Sequence, residues 1–575
     1  MAVALPTRRR HARTKDTAPP RLRFAAGLVA VIPFVVHAWV ALHGYFGQDD
    51  FVMTYRAGHA GPLDLDYLFQ DYNGHVVPGL FLLAWLETAV APLNYTVAVL
   101  PLIVMHGVAL RLFWVLLTRL FGHRWAILPG FAVLAASPLI LYPTLWWAYA
   151  MQFLPLLVAM PGAVLAHLRY LETGRGPYNS LAWTVAGLLF FEKAALYVGI
   201  LFAVTLFQNG TIAETLVRHW RVWAAHAALL AGYAVLYVSA TASQTADNPV
   251  PASAVAELAS RGVFDTFLPG LFGGFFAAPA EATGWVTPPL AIRVAAVVIA
   301  VVVIGASRTV KPWLFLGAYL AVDLGLVAVT RLTQLGPGVG SDPRYLADAV
   351  PVAVLCAAFA FRERRDWKWP VVGISALLVV TGVASFLRVA PALQFREARE
   401  YVATARAAFE EQPDIVLYDS AVPQAVILDW FFGENLTSRV VGLLQDAPAF
   451  DKPAETLYRL DERGVPQPIT ELDETVKGEK GPQPDCGHLV SDKPVRIPLS
   501  TMSYGHRVLK LGYYTGQSGA GTIAVGDTRV PVTFKNGLHV LYVAVTGTYT
   551  HVEVSRVPNV KPLCVTDVEI GVPAR

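Results

Sequence analysis

The chain has 575 residues, of which 55% are hydrophobic and only 15% charged. That balance excludes an ordinary soluble protein and indicates a polytopic membrane protein with a soluble remainder. The net charge of +3 is nearly balanced, which argues against nucleic acid as a partner, and the basic residues instead cluster beside apolar runs, where they set membrane orientation.

The chain opens on a basic tail, residues 1–21, containing RRRHARTK and RLR. Leu22 to Leu42 follows as a run of spanning length with no small-residue cleavage site after it, so it reads as a first membrane span and not a signal peptide. The tail then lies in the cytoplasm and the next segment outside. That segment, Gly44 to Pro78, carries Asp49 and Asp50 side by side, then Asp64, Asp66, Asp71 and His75. Val76 to Val90 is apolar but short. If it spanned, RLFGHR at 119–124 and HLRYLETGR at 167–175 would fall outside, against the positive-inside rule, so residues 77–90 are expected to lie on the outer surface as an interfacial helix.

The remaining expected spans are Tyr95–Leu117, Trp125–Tyr142, Ala148–Ala166, Leu181–Phe191, Ala194–Phe207, Val222–Ala240, Val286–Ala306, Trp313–Thr330, Leu346–Phe361 and Val371–Leu387. With the first they make about eleven transmembrane helices over residues 22–387. Leu181 to Phe207 is taken as two short spans broken at Glu192-Lys193, with one long helix as the alternative. Every cytoplasmic connection is basic: RLFGHR, HLRYLETGR, the Arg218/His219/Arg221 segment, SRTVK at 307–311 and FRERRDWK at 361–368. Within the long connection 241–285, FLPGLFGGFF at 267–276 is expected as a partly inserted or mobile outer loop, a lid or a plain interfacial anchor.

After Leu387 no further span occurs, and the rest is expected to be extracytoplasmic. Residues 388–486 read as an α/β linker region with a helix over Glu397–Gln412 and a buried strand at Asp414–Tyr418. From 487 to 575, β-branched and aromatic runs broken by Gly, Asp and Asn give a β-sandwich pattern, like that of carbohydrate-binding domains. Cys356 lies in an apolar run, whereas Cys486 and Cys564 flank the sandwich, where an oxidising compartment permits a disulfide. Three cysteines exclude a thiolate metal cluster, and no CxxC spacing exists.

This topology gathers polar side chains from several connections on one membrane face: Asp49, Asp50 and His75; Trp146, Trp147 and Gln152; Glu192 and Lys193; Arg331, Asp342, Arg344 and Tyr345. Ionisable groups beside lipid need a partner or a task. The set suits an anionic, lipid-linked ligand, with Lys193, Arg331 and Arg344 for its phosphate and a carboxylate as base. Trp146, Trp147, Gln152, Glu192 and Tyr345 are the candidate substrate contacts, with an interfacial aromatic belt as the alternative for the tryptophans.

QDDF, an interfacial helix opening near GHVVP, and a span ending in RLFGHR together resemble the first external loop of the GT-C superfamily of polyprenyl-phosphate-dependent glycosyltransferases. That superfamily includes protein O-mannosyltransferases, aminoarabinose transferases acting on lipid A and cell-wall arabinofuranosyltransferases. Asp49 matches the family's catalytic acidic position and Asp50 its acidic neighbour, while His75 with Pro78 falls near the proline motif that opens the juxtamembrane helix. GHVVP has a single proline and lacks the Lys or Glu of that motif. The resemblance implies a polyprenyl-phosphate sugar donor, a glycan or protein acceptor, inversion at the anomeric carbon, and catalysis at Asp49, Asp50 and His75. No cofactor is implied with certainty; Asp50 is either a competing base, an orienting group or a ligand for a divalent metal. A transporter or flippase of lipid-linked envelope precursors is the rival reading, carried by His106, Arg111, Arg293 and Asp323 inside expected spans.

Overall fold

The computed structural model describes residues 19–241, 251–274, 285–364, 366–429, 431, 433–558 and 560–574. The chain divides into two compact units, residues 1–396 and 397–575.

The first unit is helical because its apolar runs can satisfy backbone polar groups in lipid only within themselves. Among the described residues six helices are long and apolar enough to cross a membrane: Pro20–Leu42, Tyr95–Phe121, Trp147–Thr173, Trp220–Thr241, Lys311–Leu335 and the helix beginning Lys368–Val389. A bent pair, Glu192–Gln208 with Ile212–Arg218, would make a seventh. Every expected span falls on helix, but the others are short. Leu290–Ala306 has 17 residues, Ala349–Ala360 has 12 and Asn179–Leu188 has 10. Trp125–Leu141 is broken at Ser137, whose extended backbone and following Pro138 end one helix and start the next. Leu181–Phe207 is likewise two helices, separated by a tight turn at Glu192–Leu196.

Pro78–Val90 is a helix of 13 residues, roughly 20 Å at the α-helical rise and short of the ~30 Å hydrocarbon core. It is buried on one face through Leu80, Phe81 and Ala84 and exposed on the other through Leu82, Leu86 and Val90. Its buried face packs on the polar segment before it: Tyr67 donates to the Phe81 carbonyl at 3.0 Å and Trp85 to the Ala60 carbonyl at 3.1 Å. Gly79 donates to the Leu189 carbonyl at 2.7 Å, and a Cβ there would meet that oxygen at 2.8 Å.

The basic connections meet one another. Arg119 pairs with Glu172 at 2.8 Å, the Arg124 guanidinium donates to the carbonyls of Arg362 and Arg364, and Asp366 accepts from the backbone of Trp125 and Ala126. Arg364 reaches the Ala306 carbonyl, and Tyr170 bonds His219 at 3.0 Å. The five segments expected on one side are therefore linked at one end of the bundle.

One expectation changes. The stretch beginning FLPGLFGG is no loose loop over its described part. It continues the Ala252–Ser260 helix through a π-helical turn, Arg261–Phe267, into Leu268–Leu271. Phe267, Pro269 and Gly270 are buried, Ser137 donates to the Gly270 carbonyl at 2.9 Å, and Gly273 lies against Thr381 and Gly382. Its glycines serve close packing of helices, which a hydropathy pattern reads only as looseness. Phe275 and Phe276 lie outside the described residues.

The second unit opens with the helix Arg396–Glu411, then a small sheet ordered Ala449–Phe450, Val416–Leu417, Leu457–Leu460, Pro466–Pro468, in which Val416–Leu417 runs parallel to both neighbours. A sandwich follows. One sheet holds Thr528–Phe534, Gly519–Val525, Thr548–Arg556 and Val495–Tyr504; the other holds Gly537–Val545, Arg507–Thr515, Leu563–Pro573 and Leu472–Lys477, with His488–Val490 also paired to Leu563–Pro573. Alternate residues of both sheets, among them Tyr513, Tyr549, Phe534 and Val543, fill a shared core. The sandwich thus recruits Leu472–Lys477, ahead of the start at 487 read from the sequence, because that strand pairs with Leu563–Pro573 far along the chain. Cys486 and Cys564 form a disulfide with Cα atoms 4.8 Å apart, and Cys356 is free and buried.

Candidate active site

At the end of the first unit away from the linked basic connections, the helix Asp49–His59 begins directly after Gln48, whose φ of 56° is unusual for a residue with a side chain. Such backbone strain persists only where surrounding contacts hold it. Asp50, two residues on, ties the flanking backbone in place. Its carboxylate is fully buried and accepts from Gly47 N at 3.0 Å and from Ala148 N at 2.9 Å, one bond to each oxygen. Gly47 has no room for a side chain, since a Cβ would collide with the Phe395 ring. Burial first, and the neighbouring Asp49 charge second, push the Asp50 carboxyl well above the usual range.

Asp49 is placed differently. It is half-buried, and its Oδ1 accepts the indole N–H of Trp146 at 2.9 Å. Burial raises its carboxyl to about 6, against the opposing influence of Arg344 and of the Trp146 bond. The same indole carries the Arg344 guanidinium over its face at 4.2 Å, a cation–π contact. Asp342 grips Arg344 side-on, through Nε at 2.9 Å and Nη2 at 2.6 Å, and so fixes the plane of the guanidinium. Tyr149 donates to the Arg344 carbonyl at 2.9 Å. Asp49, Trp146, Arg344 and Asp342 are therefore one contiguous group drawn from three separate connections.

A second group lies on the Glu192–Lys193 turn. Arg331 Nη2 is 2.7 Å from His75 Nε2, and His75 Nδ1 is 2.7 Å from Glu192 Oε1. A guanidinium can only donate, so Nε2 accepts and the ring proton sits on Nδ1, donated to Glu192. Both nitrogens of His75 are thereby used, and the expected catalytic histidine is held between two charged neighbours. Lys193 also departs from expectation. Its ammonium bonds Asp323 and Asp348 at 2.7 Å each and the Tyr345 carbonyl at 2.7 Å. Two hydrogen bonds and the ion pair to Asp323 enclose the ammonium within the protein, where Lys193 is buried. Tyr319 completes the network by donating to Asp348 at 2.7 Å.

Trp147 is 2% exposed, packs edge-on against Phe46 and donates to Glu87 at 3.1 Å; its ring is core and offers no stacking face. Gln152 is buried one turn further along the same helix, and Tyr345 is half-buried beside Arg344, with ring and guanidinium 5.9 Å apart. Each Asp50 oxygen accepts one backbone N–H group. Among the described residues no group of three or more His, Cys, Asp or Glu is placed to hold a metal ion.

Sequence reasoning did not pair Asp342 with Arg344 or Lys193 with its two carboxylates, and it passed over Tyr149 and Tyr319. Asp323 was legible as an ionisable residue in a span, but its partner was not. The residues behind the transporter reading do not line one path: Asp323 serves Lys193, Arg293 pairs with Asp265 at 3.0 Å, His106 bonds His37 at 3.2 Å, and Arg111 is exposed on its helix.

Fold and site together define a multi-pass helical membrane protein that carries a carboxylate and cation cluster at one end of its bundle and a β-sandwich unit at its C-terminus. No family model matches the chain, and no curated protein sequence matches it. Among solved structures the chain is similar to ArnT from Cupriavidus metallidurans bound to undecaprenyl phosphate, at 11% identity and a TM-score of 0.45, over 76% of this chain and 93% of that one. It is also similar to the arabinofuranosyltransferase AftD from Mycobacteria, at 12% identity and a TM-score of 0.39, over 97% of this chain and 59% of that one. Likenesses at these identities and TM-scores carry no argument about activity, which is left to the chain's own residues.

Proposed function

We propose that the chain is a membrane glycosyltransferase that moves a sugar from a polyprenyl-phosphate donor to an acceptor hydroxyl of an envelope glycan or glycoprotein, with inversion. The observation that carries the reading is the Trp146 side chain, which holds a carboxylate by its N–H and a guanidinium by its face. Sugar transfer from a phosphate ester needs a base for the incoming hydroxyl and a cation for the departing phosphate, and this pair supplies both within one indole's reach. The resemblance of QDDF to the GT-C acidic motif supports the same assignment.

In this mechanism Asp49, ionised above about pH 6, takes the acceptor hydroxyl proton. The acceptor oxygen bonds the anomeric carbon from one face while the bond to the phosphate oxygen breaks on the other. Polyprenyl phosphate leaves toward Arg344, which a planar guanidinium can hold through two N–H groups. Arg331 is the second cation, while Lys193 positions Tyr345 and the turn that carries Arg344. Asp50 shapes the Gly47–Asp50 turn. The site faces outward and the linked basic end faces the cytoplasm, as the concentration of Arg and Lys there supports.

Purified protein given radiolabelled polyprenyl-phosphate sugars and a mixed envelope glycan acceptor tests the proposal. Transfer of label that depends on Asp49 is the expected result. Movement of the lipid across a vesicle membrane without transfer would replace the reading with a flippase.

A further inference from the structure

The helix Pro78–Val90 carries one ionisable side chain, Glu87, and the proposed mechanism makes no use of it. Glu87 is buried, its Oε2 accepts the Trp147 indole N–H at 3.1 Å, and its Oε1 has no hydrogen-bond partner among the described residues. Glutamate is almost never buried without a partner. An ionised carboxylate held out of water with no counter-charge is far costlier than the neutral acid.

No counter-charge is supplied. The helix packs against Asp49–His59, Leu65–Leu68, Tyr95–Phe121 and Trp147–Thr173. At this end of the bundle the ionisable side chains these elements bring inward are Asp50, Tyr67, Tyr95 and Tyr149, with Asp49, Tyr55 and Arg56 half-buried. The charge of none of them bears on Glu87, whose surroundings amount to burial and the indole. Burial pushes its carboxyl up to about 8, against the opposing influence of the Trp147 bond.

Trp147 stands between two residues on which the aspartates depend. Trp146 donates to Asp49, and Ala148 N donates to Asp50. Glu87 thus reaches both through one indole. As a neutral acid it can stay buried and accept from Trp147; as an anion it leaves Oε1 charged and unpaired, and hydration draws the side chain away from that bond.

We propose that Glu87 is a positioning residue kept as a neutral carboxylic acid, which in that form ties the Pro78–Val90 helix to Trp147 and holds the Trp146–Ala148 backbone in place for Asp49 and Asp50. Its part in transfer rests on the glycosyltransferase reading. Its protonation does not.

The test compares the full-length parent, Glu87→Gln and Glu87→Leu in detergent micelles, by unfolding temperature and by transfer rate, each against pH. The unfolded chain loses the Glu87 proton at the ordinary carboxyl value and the folded chain only near about 8. Between those values the unfolded state binds fewer protons, so the parent loses stability as pH rises and levels off above the upper one. Gln cannot ionise. The unfolding temperature of Glu87→Gln should therefore rise relative to the parent's across that window, and a difference that does not change with pH overturns the neutral acid.

In transfer, the parent should lose rate as pH rises through about 8, and Glu87→Gln, whose carbonyl still accepts from the indole, should not. Glu87→Leu should also lack that limb, but it offers the indole no acceptor and should turn over about fivefold more slowly than the Gln variant at every pH, the scale of one hydrogen bond. A parent without the alkaline limb, a limb that persists in Glu87→Gln, or equal turnover by the two variants overturns the positioning role. Absence of transfer by the parent at every pH overturns the proposed function and the part of Glu87 in it, whereas the neutral acid stands or falls by the unfolding temperatures alone.

Discussion

The indole of Trp146 donates to Asp49 at 2.9 Å, and it is the one hydrogen bond from a neighbouring side chain that lowers the Asp49 carboxyl against its burial. Removing that bond should therefore raise the carboxyl further above about 6. In the proposed mechanism transfer requires the ionised form, so activity should be present above that value and lost as pH falls through it. In Trp146→Phe the acidic limb of the pH–rate profile should move up by about one unit, the scale of a hydrogen bond to a charged group. A limb that stays in place while the rate falls would detach Trp146 from the base.

Asp49→Asn keeps the size of the side chain and removes its basicity, so transfer should fall by about 10²-fold or more. Polyprenyl phosphate binding should survive, because the carboxylate acts on the acceptor. Asp50→Asn should act on the fold instead. One of its buried backbone donors, Gly47 N or Ala148 N, would face an amide NH2, at a cost of about 1–3 kcal/mol. Comparing turnover and unfolding temperature for the two variants separates the roles. Normal turnover with Asn at 49 and none with Asn at 50 would transfer the base to Asp50.

Lys193→Met should be among the most destabilising single changes in the first unit. It strips two buried carboxylates, Asp323 and Asp348, of their shared cation, and breaking a buried pair from one side costs about 3–5 kcal/mol. Thermal unfolding in detergent reads it. A direct phosphate contact would instead leave the unfolding temperature near that of the parent and weaken donor binding alone.

A cysteine introduced into RLFGHR should resist membrane-impermeant thiol reagents in intact cells, because that segment is linked to the other basic connections at the end opposite the site. Labelling from outside would reverse the orientation and place the proposed site in the cytoplasm.

Reducing Cys486–Cys564 should lower the unfolding temperature of the C-terminal unit in the intact protein. The bond closes a separation of 78 residues, for which loop entropy suggests about 4 kcal/mol. Intact-mass measurement with alkylation should find one reactive thiol, Cys356, in the denatured unreduced chain. Three would rule the bond out.

Periodicity and charge by themselves determined the helical membrane class, the helical segments, the short separate helix at Pro78–Val90 and the mutual nearness of the basic connections. These follow from local rules: an apolar run has a length, and arginine beside it has a preferred side. The sandwich pattern was legible for the same reason, since alternation is a property of each strand alone. The residues proposed as the site also fall at one end of the bundle, as their connections in the sequence imply. Pairing was not legible. Arg344 and Lys193 looked alike as cations at a helix end, and only the fold gave one an open edge over Trp146 while enclosing the other between Asp323 and Asp348. Asp49 and Asp50 are neighbours in the chain with one chemistry. Helix geometry turned Asp50 inward onto the backbone of Gly47 and Ala148 and left Asp49 half-buried against an indole. Contacts between residues about a hundred positions apart carry no local signature, so it was the tertiary structure that decided which charge is free to act.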